Sequence, residues 1–165
     1  MAELWDAYDK NFNKIEGKLL VRGEAVPEGE YHLVAEVIVK HTDGSYLIMQ
    51  RDFNKIFGGQ WELSAGGSAL AGENALDCAV RELKEETGIT AISLTEIGRT
   101  VHEKYRTLFV EYLAVTDCEK TSIVLQKGET VAYRWVSLPE LCEIKKEDIA
   151  SYRSFDLVKE GRISE

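Results

Sequence analysis

Proline is scarce in this chain, with two residues in 165, and the sequence has no low-complexity tract or Gly/Ser/Pro linker. Collagen-like, mucin-like and disordered chains are thereby excluded. Cysteine is nearly as rare. Cys78, Cys118 and Cys142 lie far apart with no CxxC spacing, an odd set in a chain too large to depend on disulfides. They point to a reducing compartment, so a cytoplasmic location is expected. Basic residues are outnumbered, 20 against 29 acidic ones, for a net charge of −9. That is the wrong sign for a surface tracking a nucleic-acid backbone. Long apolar runs are also missing. The longest, around Leu33 to Val39, is broken by Glu36 and falls far short of about 30 Å of hydrocarbon. The N-terminus lacks the basic region, apolar run and cleavage site of a signal peptide. Neither a nucleic-acid nor a membrane partner is expected. One folding unit over residues 1–165 is, since that length suits a single domain. The acidic balance leaves room for an anionic small molecule, provided that local cations or a metal ion offset the repulsion.

What is present is a mixed pattern of strands and helices, so the expected fold class is α/β. Residues 1–30 read as a strand or extended lead-in. His32 to Lys40, rich in Val and Ile, and the apolar Tyr46 to Gln50 flank Thr-Asp-Gly-Ser, a strand, turn and strand. Trp61 to Ala65 reads as a short strand delivered into Gly66 and Gly67, with a loop after them. From Glu73 the period changes: Leu76, Ala79, Val80 and Leu83 recur at i, i+3, i+4 and i+7, the stripe of a packed helix that Gly88 ends. Ile92 to Ile97, Thr107 to Val115 and Val131 to Val136 read as further strands. Pro139 starts a short helical piece, and Tyr152, Phe155 and Val158 share one side of a last helix.

On the helix near Glu73, the carboxylates Glu82, Glu85 and Glu86 are spaced i, i+3 and i+4 and share a face. At about 100° per residue their centre lies roughly 120° from that of the apolar stripe. Like charges at this spacing repel, so a cation is expected to compensate them. Clustered hard oxygen ligands suit Mg²⁺ or Mn²⁺, which accept carboxylates, waters and phosphate oxygens together. Zinc is disfavoured, because no His or Cys stands at ligand spacing.

The stretch runs Gly67, five residues, Glu73, seven residues, then Arg81-Glu-Leu-Lys-Glu-Glu-Thr-Gly-Ile89. It resembles the signature of the Nudix hydrolases at every specified position, as a complete Nudix box over 67–89. The resemblance implies an α/β/α sandwich around a mixed sheet, with the box as loop-helix-loop. It implies an Mg²⁺- or Mn²⁺-dependent hydrolase of a diphosphate linkage, in a nucleoside diphosphate joined to a further group. By the same resemblance Glu82, Glu85 and Glu86 hold the metal, with a carbonyl at Gly66 or Gly67, while Glu73 and Arg81 brace the loop against the helix. Family members place the general base either in the box, where Glu82 or Glu85 would serve, or on a loop before the last strand, where Glu129 stands here. Homodimers occur among relatives, so a homodimer is one expected assembly.

Outside the box, Arg51 and the hairpin cations Arg99, Lys104 and Arg106 are candidates to face a phosphate. Trp61, Tyr105 and Trp135 are candidates to stack on a planar group, although aromatics on strands more often belong to a core. Arg51, Trp61 and Arg106 are taken as the substrate-binding set. Trp5-Asp-Ala-Tyr-Asp-Lys-Asn, Tyr31-His-Leu-Val and Gly59-Gln-Trp61 also resemble the branch that includes isopentenyl diphosphate isomerase. That reaction is disfavoured, because the positions of its catalytic cysteine and metal-binding histidine read Gly66 and Ser68. A non-catalytic nucleotide-binding module is the third reading. It is opposed by the complete set of box carboxylates, an unrelieved cost without a cation.

Overall fold

The computed structural model describes residues 1–63 and 65–161. Ser64, inside the strand expected over 61–65, and residues 162–165 lie outside the described residues. The first 30 residues form more than an extended lead-in. β1 (Leu4–Tyr8) and β2 (Lys14–Val21) make an antiparallel two-stranded sheet of their own, with Trp5, Ala7 and Leu20 buried together. The Asp9 carboxylate closes the turn by accepting the backbone N–H groups of Asn11 and Asn13 at 2.8 and 3.0 Å, an Asx-type arrangement.

The main sheet contains β3 (His32–His41), β4 (Tyr46–Arg51), β5 (Trp61–Glu62), β6 (Ala65–Ser68), β7 (Ser93–His102), β8 (Thr107–Thr116) and β9 (Thr130–Val136). Its order is β5-β4-β3-β8-β7, with β6 added to β3 and β9 to β4. β3 and β8 run parallel and the other pairs antiparallel, so the sheet is mixed. The period of two in β3 and β8 sets the layers. Leu33, Ala35, Val37 and Val39 join Leu108, Val110 and Ala114 on the face covered by α1 (Ala75–Thr87). Ile38 and Leu113 face the opposite way, toward α2 (Leu138–Glu143) and α3 (Tyr152–Lys159), where Leu141, Phe155 and Val158 are buried. Full burial of side chains this size contributes about 1.5 to 3 kcal/mol each, which holds the α/β/α sandwich together.

Three local expectations are corrected. The strand expected over 61–65 does not end ahead of the glycine pair. β5 stops at Glu62, and Gly66 and Gly67 lie inside β6, registered against Glu36 and Ala35 of β3. A Cβ on Gly66 would stand 2.7 Å from the Ala35 carbonyl oxygen, so only glycine lets β6 approach β3 this closely. The packed face of α1 is also rotated from the expected stripe, for Leu76 and Val80 are 47% and 55% exposed. Cys78, Ala79, Leu83, Glu86 and Thr87 are the buried ones. The physical reason is the partner surface: α1 lies on β6 and β3, and the flat glycine strand admits a face that includes carboxylates. On α3, Phe155 and Val158 are buried together with Leu157, while Tyr152 is exposed.

Candidate active site

β3 and β4 touch through one registered pair, Lys40 with Tyr46, and then part: β3 takes β6, and β4 takes β5 and β9. Where they diverge, two adjoining cavities open along β6. One, about 290 Å³, is bounded by the α1 carboxylates together with Glu129 and Arg22. The other, about 210 Å³, is bounded by Glu36, Arg51, Glu62 and the serines Ser151 and Ser154 at the start of α3. Lys55, Glu86 and the strand Gly66–Ser68 border both.

The local sequence explains how α1 reaches this cleft. Asn74 caps it, accepting the Asp77 backbone N–H at 2.8 Å, and Gly88, at φ 77°, closes its end by donating to the Lys84 carbonyl. Glu73 therefore stands just ahead of the helix. Its carboxylate accepts Arg81 Nε at 2.6 Å, Arg81 Nη2 at 3.0 Å and the Leu70 backbone N–H at 3.0 Å. The same guanidinium donates to the Ser68 carbonyl at 3.1 Å and to Glu82 at 2.8 Å. Arg81 thus ties loop, strand and helix through a planar fork, and it holds the Glu73 carboxyl below its ordinary range. Because an ammonium cannot reproduce that fork, Arg81→Lys is expected to lower folding stability by about 1 to 2 kcal/mol. Thermal unfolding of the metal-free protein checks this, with no change in melting temperature counting against the brace.

The three box carboxylates have different surroundings. Glu86 is 8% exposed and accepts the Gly66 backbone N–H at 3.2 Å. Burial, with the neighbouring charges of Glu82 and Glu62, pushes its carboxyl up to about 8. Glu82 is raised in the same direction, chiefly by burial and against the pull of Arg81. Its Oε1 lies 2.2 Å from where a Cβ on Gly67 would be. Glu85 faces outward and meets Arg81 Nη1 at 3.3 Å. Among the described residues, no three acidic, His or Cys side chains gather around a common centre. Each carboxylate instead takes its nearest donor, as like charges do. The donor set still fits a hard divalent ion. The buried Glu86 and the half-buried Glu82 resist ionisation beside a glycine strand without side chains, and a cation there would favour their charged forms.

Other expected site residues divide into two groups. Glu129 borders the carboxylate cleft and pairs with Lys55. Arg51 borders the second cavity, paired with Glu62. Burial raises the Glu62 carboxyl and Arg51 opposes it. The Gly67 carbonyl accepts the Cys78 thiol at 3.3 Å, and burial pushes that thiol up to about 12, so Cys78 is a packing residue. A second lone pair on the carbonyl oxygen remains in principle. Trp61 and Arg106 border neither cavity. Trp61 lies under the Arg134 guanidinium at 5.8 Å. Arg106 is at a left-handed turn, φ 48°, with its guanidinium donating to the Val26 carbonyl. Sequence reading missed Lys55, Arg22 and Glu62, since each is an isolated charge at no informative spacing.

Comparison with known proteins bears on the same segment. A family model described as the NUDIX domain matches residues 30–158. An uncharacterized Nudix hydrolase of Listeria monocytogenes is 36% identical over 141 residues, covering 84% of this chain and 82% of that protein. The crystal structure of DR0079 from Deinococcus radiodurans superposes with a TM-score of 0.75 at 17% identity, covering 96% of this chain and 98% of that one. The NUDIX domain of Shewanella oneidensis NrtR, complexed with ADP ribose, does so with a TM-score of 0.64 at 18% identity, covering 80% and 86%. Among the described residues no helix is long and apolar enough to cross a membrane.

Proposed function

The chain belongs to the Nudix hydrolase superfamily, and from that premise we propose that it is a divalent-metal-dependent hydrolase of a diphosphate linkage, in a nucleoside diphosphate joined to a further group. The observation that carries this reading is the approach of Glu82 to Gly67, beside the buried Glu86, in one cleft with Glu85 and Glu129. Glu82, Glu85 and Glu86 hold Mg²⁺ or Mn²⁺, with the Gly67 carbonyl as a further oxygen ligand. Such an ion, when bound, neutralises phosphate oxygens and acidifies water.

The chain's own residues do the rest. Glu129 takes the proton of the attacking water, once its carboxylate is released from Lys55. Arg81 and Glu73 keep α1 and β6 in register, so that the carboxylates face the cleft. Arg51 offers a fork to an anionic or hydroxyl group in the second cavity. The NrtR domain's ADP ribose supports a nucleotide-like small molecule as partner, and the whole chain acting as one domain is part of the same reading.

A panel of nucleoside diphosphate derivatives, assayed for phosphate or nucleotide release with Mg²⁺ and Mn²⁺, tests it. Glu85→Gln is expected to lower kcat on the best substrate by about 10²-fold or more. Unaltered turnover across the panel would remove Glu85 from the site, and no release by the wild-type protein would remove the hydrolase reading itself.

A further inference from the structure

Residues 1–29 precede the segment that the NUDIX model matches, yet they reach the cleft. The β1–β2 sheet is clamped to the loop leading into α1. The Ala71 N–H donates to the Leu4 carbonyl at 2.9 Å, and the Gly72 N–H donates to the buried Asp6 carboxylate at 2.8 Å. Trp5 stacks on His32 with centroids 4.5 Å apart, and Tyr8 and Tyr31 exchange backbone hydrogen bonds of 2.9 Å. This docking fixes the end of β2, and Arg22, the next residue, borders the carboxylate cleft. The Glu3 backbone carbonyl and carboxylate hold it, each at 3.0 Å.

Lys55 borders the same cleft from the loop between β4 and β5. Burial depresses its ammonium, with the charges of Arg51 and Arg22 acting in the same direction and those of Glu62 and Glu86 opposing it. Two cations from separate elements therefore bear on one space, each held by a single carboxylate, Glu3 or Glu129. The Arg22–Glu3 pair faces solvent, and such pairs are weak. A phosphate offers charge-assisted bonds to both cations and can displace their carboxylates.

We infer that Arg22 and Lys55 form an anion subsite for a phosphoryl group beyond the linkage that the box carboxylates address, which favours substrates with a terminal or additional phosphate. The inference rests on the hydrolase reading above and narrows its substrate class. The cleft makes this necessary, because five carboxylates (Glu3, Glu82, Glu85, Glu86 and Glu129) border it and would repel a longer phosphate chain wherever metal does not cover it. Arg81 cannot meet that need while Glu73, Glu82 and Ser68 hold it.

The test is calorimetric binding of inorganic tripolyphosphate and of pyrophosphate, with Ca²⁺, to the full-length protein and to Arg22→Met, Arg22→Lys and Lys55→Met. Arg22→Met and Lys55→Met are each expected to weaken tripolyphosphate about tenfold and pyrophosphate distinctly less, with Arg22→Lys recovering most of the loss. For substrates turned over, Arg22→Met should raise KM more than it lowers kcat, and most where a terminal phosphate is present. Equal binding of tripolyphosphate by wild type and Arg22→Met would overturn the subsite. So would a loss of both anions that only parallels a lowered melting temperature, for Arg22 would then be a brace. If the wild-type protein prefers tripolyphosphate yet cleaves no diphosphate, the subsite stands and the hydrolase reading fails.

Discussion

Changing Glu86 to Gln is expected to cut turnover by about 10²- to 10³-fold, because one metal ligand supplies several kcal/mol of charge stabilisation, while raising the stability of the metal-free protein at pH 8. The second effect follows from burial. The folded-state value for Glu86, about 8, lies above the ordinary 4.5, so between these values the folded chain holds a proton that the unfolded chain has released. Stability of the metal-free protein therefore falls as pH rises through the window from 4.5 to about 8. At about 1.4 kcal/mol per unit, the ceiling on that loss is about 4 to 5 kcal/mol. The groups facing Glu86 are the raising charges of Glu82 and Glu62, and the lowering Gly66 N–H and Lys55 ammonium. Glutamine keeps an oxygen for the Gly66 N–H but carries no charge, so the variant's stability should be flatter with pH and exceed that of wild type above about pH 7. Metal uptake by the wild-type protein should release protons and tighten toward pH 8. Denaturant unfolding with chelator at pH 5, 6.5 and 8 decides the matter: wild-type stability that rises with pH over this range would refute the burial argument.

A single methyl group at position 67 should be nearly as damaging. In Gly67→Ala the new Cβ would lie 2.2 Å from Glu82 Oε1 and 2.4 Å from its carboxyl carbon, far inside the contact distance of about 3.5 Å. The obstacle is the end of a flexible side chain, so the backbone need not move and the protein should still fold. Glu82 must swing away, giving up both its place beside β6 and its Arg81 contact. The expected result is a metal affinity weaker by at least about 10- to 100-fold, with loss of turnover at limiting Mg²⁺ and a melting temperature within a few degrees of wild type. Titration calorimetry with Mn²⁺ is the measurement. Unchanged affinity in a correctly folded Gly67→Ala protein would mean that Glu82 does not serve the metal from its present position.

Much of this site was legible in the sequence, and the illegible parts have a common cause. The alternation along His32 to Val39 and Leu108 to Ala114 set which residues face which layer, because a strand exposes its sides with a period of two whatever surrounds it. The box spacing likewise placed Glu82, Glu85 and Glu86 on one face and Glu73 within reach of Arg81. The helical period is a property of the backbone alone.

The sequence could not say which face of α1 would pack. Leu76 and Val80 looked apolar enough to be buried, yet Glu86 is buried in their stead, because the surface opposite is a glycine strand and the choice depends on what it offers. Nor could spacing bring Lys55 to Glu129, 74 residues apart, or Arg22 to the rim of a cleft built from Gly67 and α1. Periodicity is local and follows from φ and ψ, whereas these meetings follow from how sheet, helix and N-terminal hairpin are stacked. The chain's order thus determined the identity and facing of the three box glutamates, while tertiary packing alone decided which would be desolvated and which cations would join them.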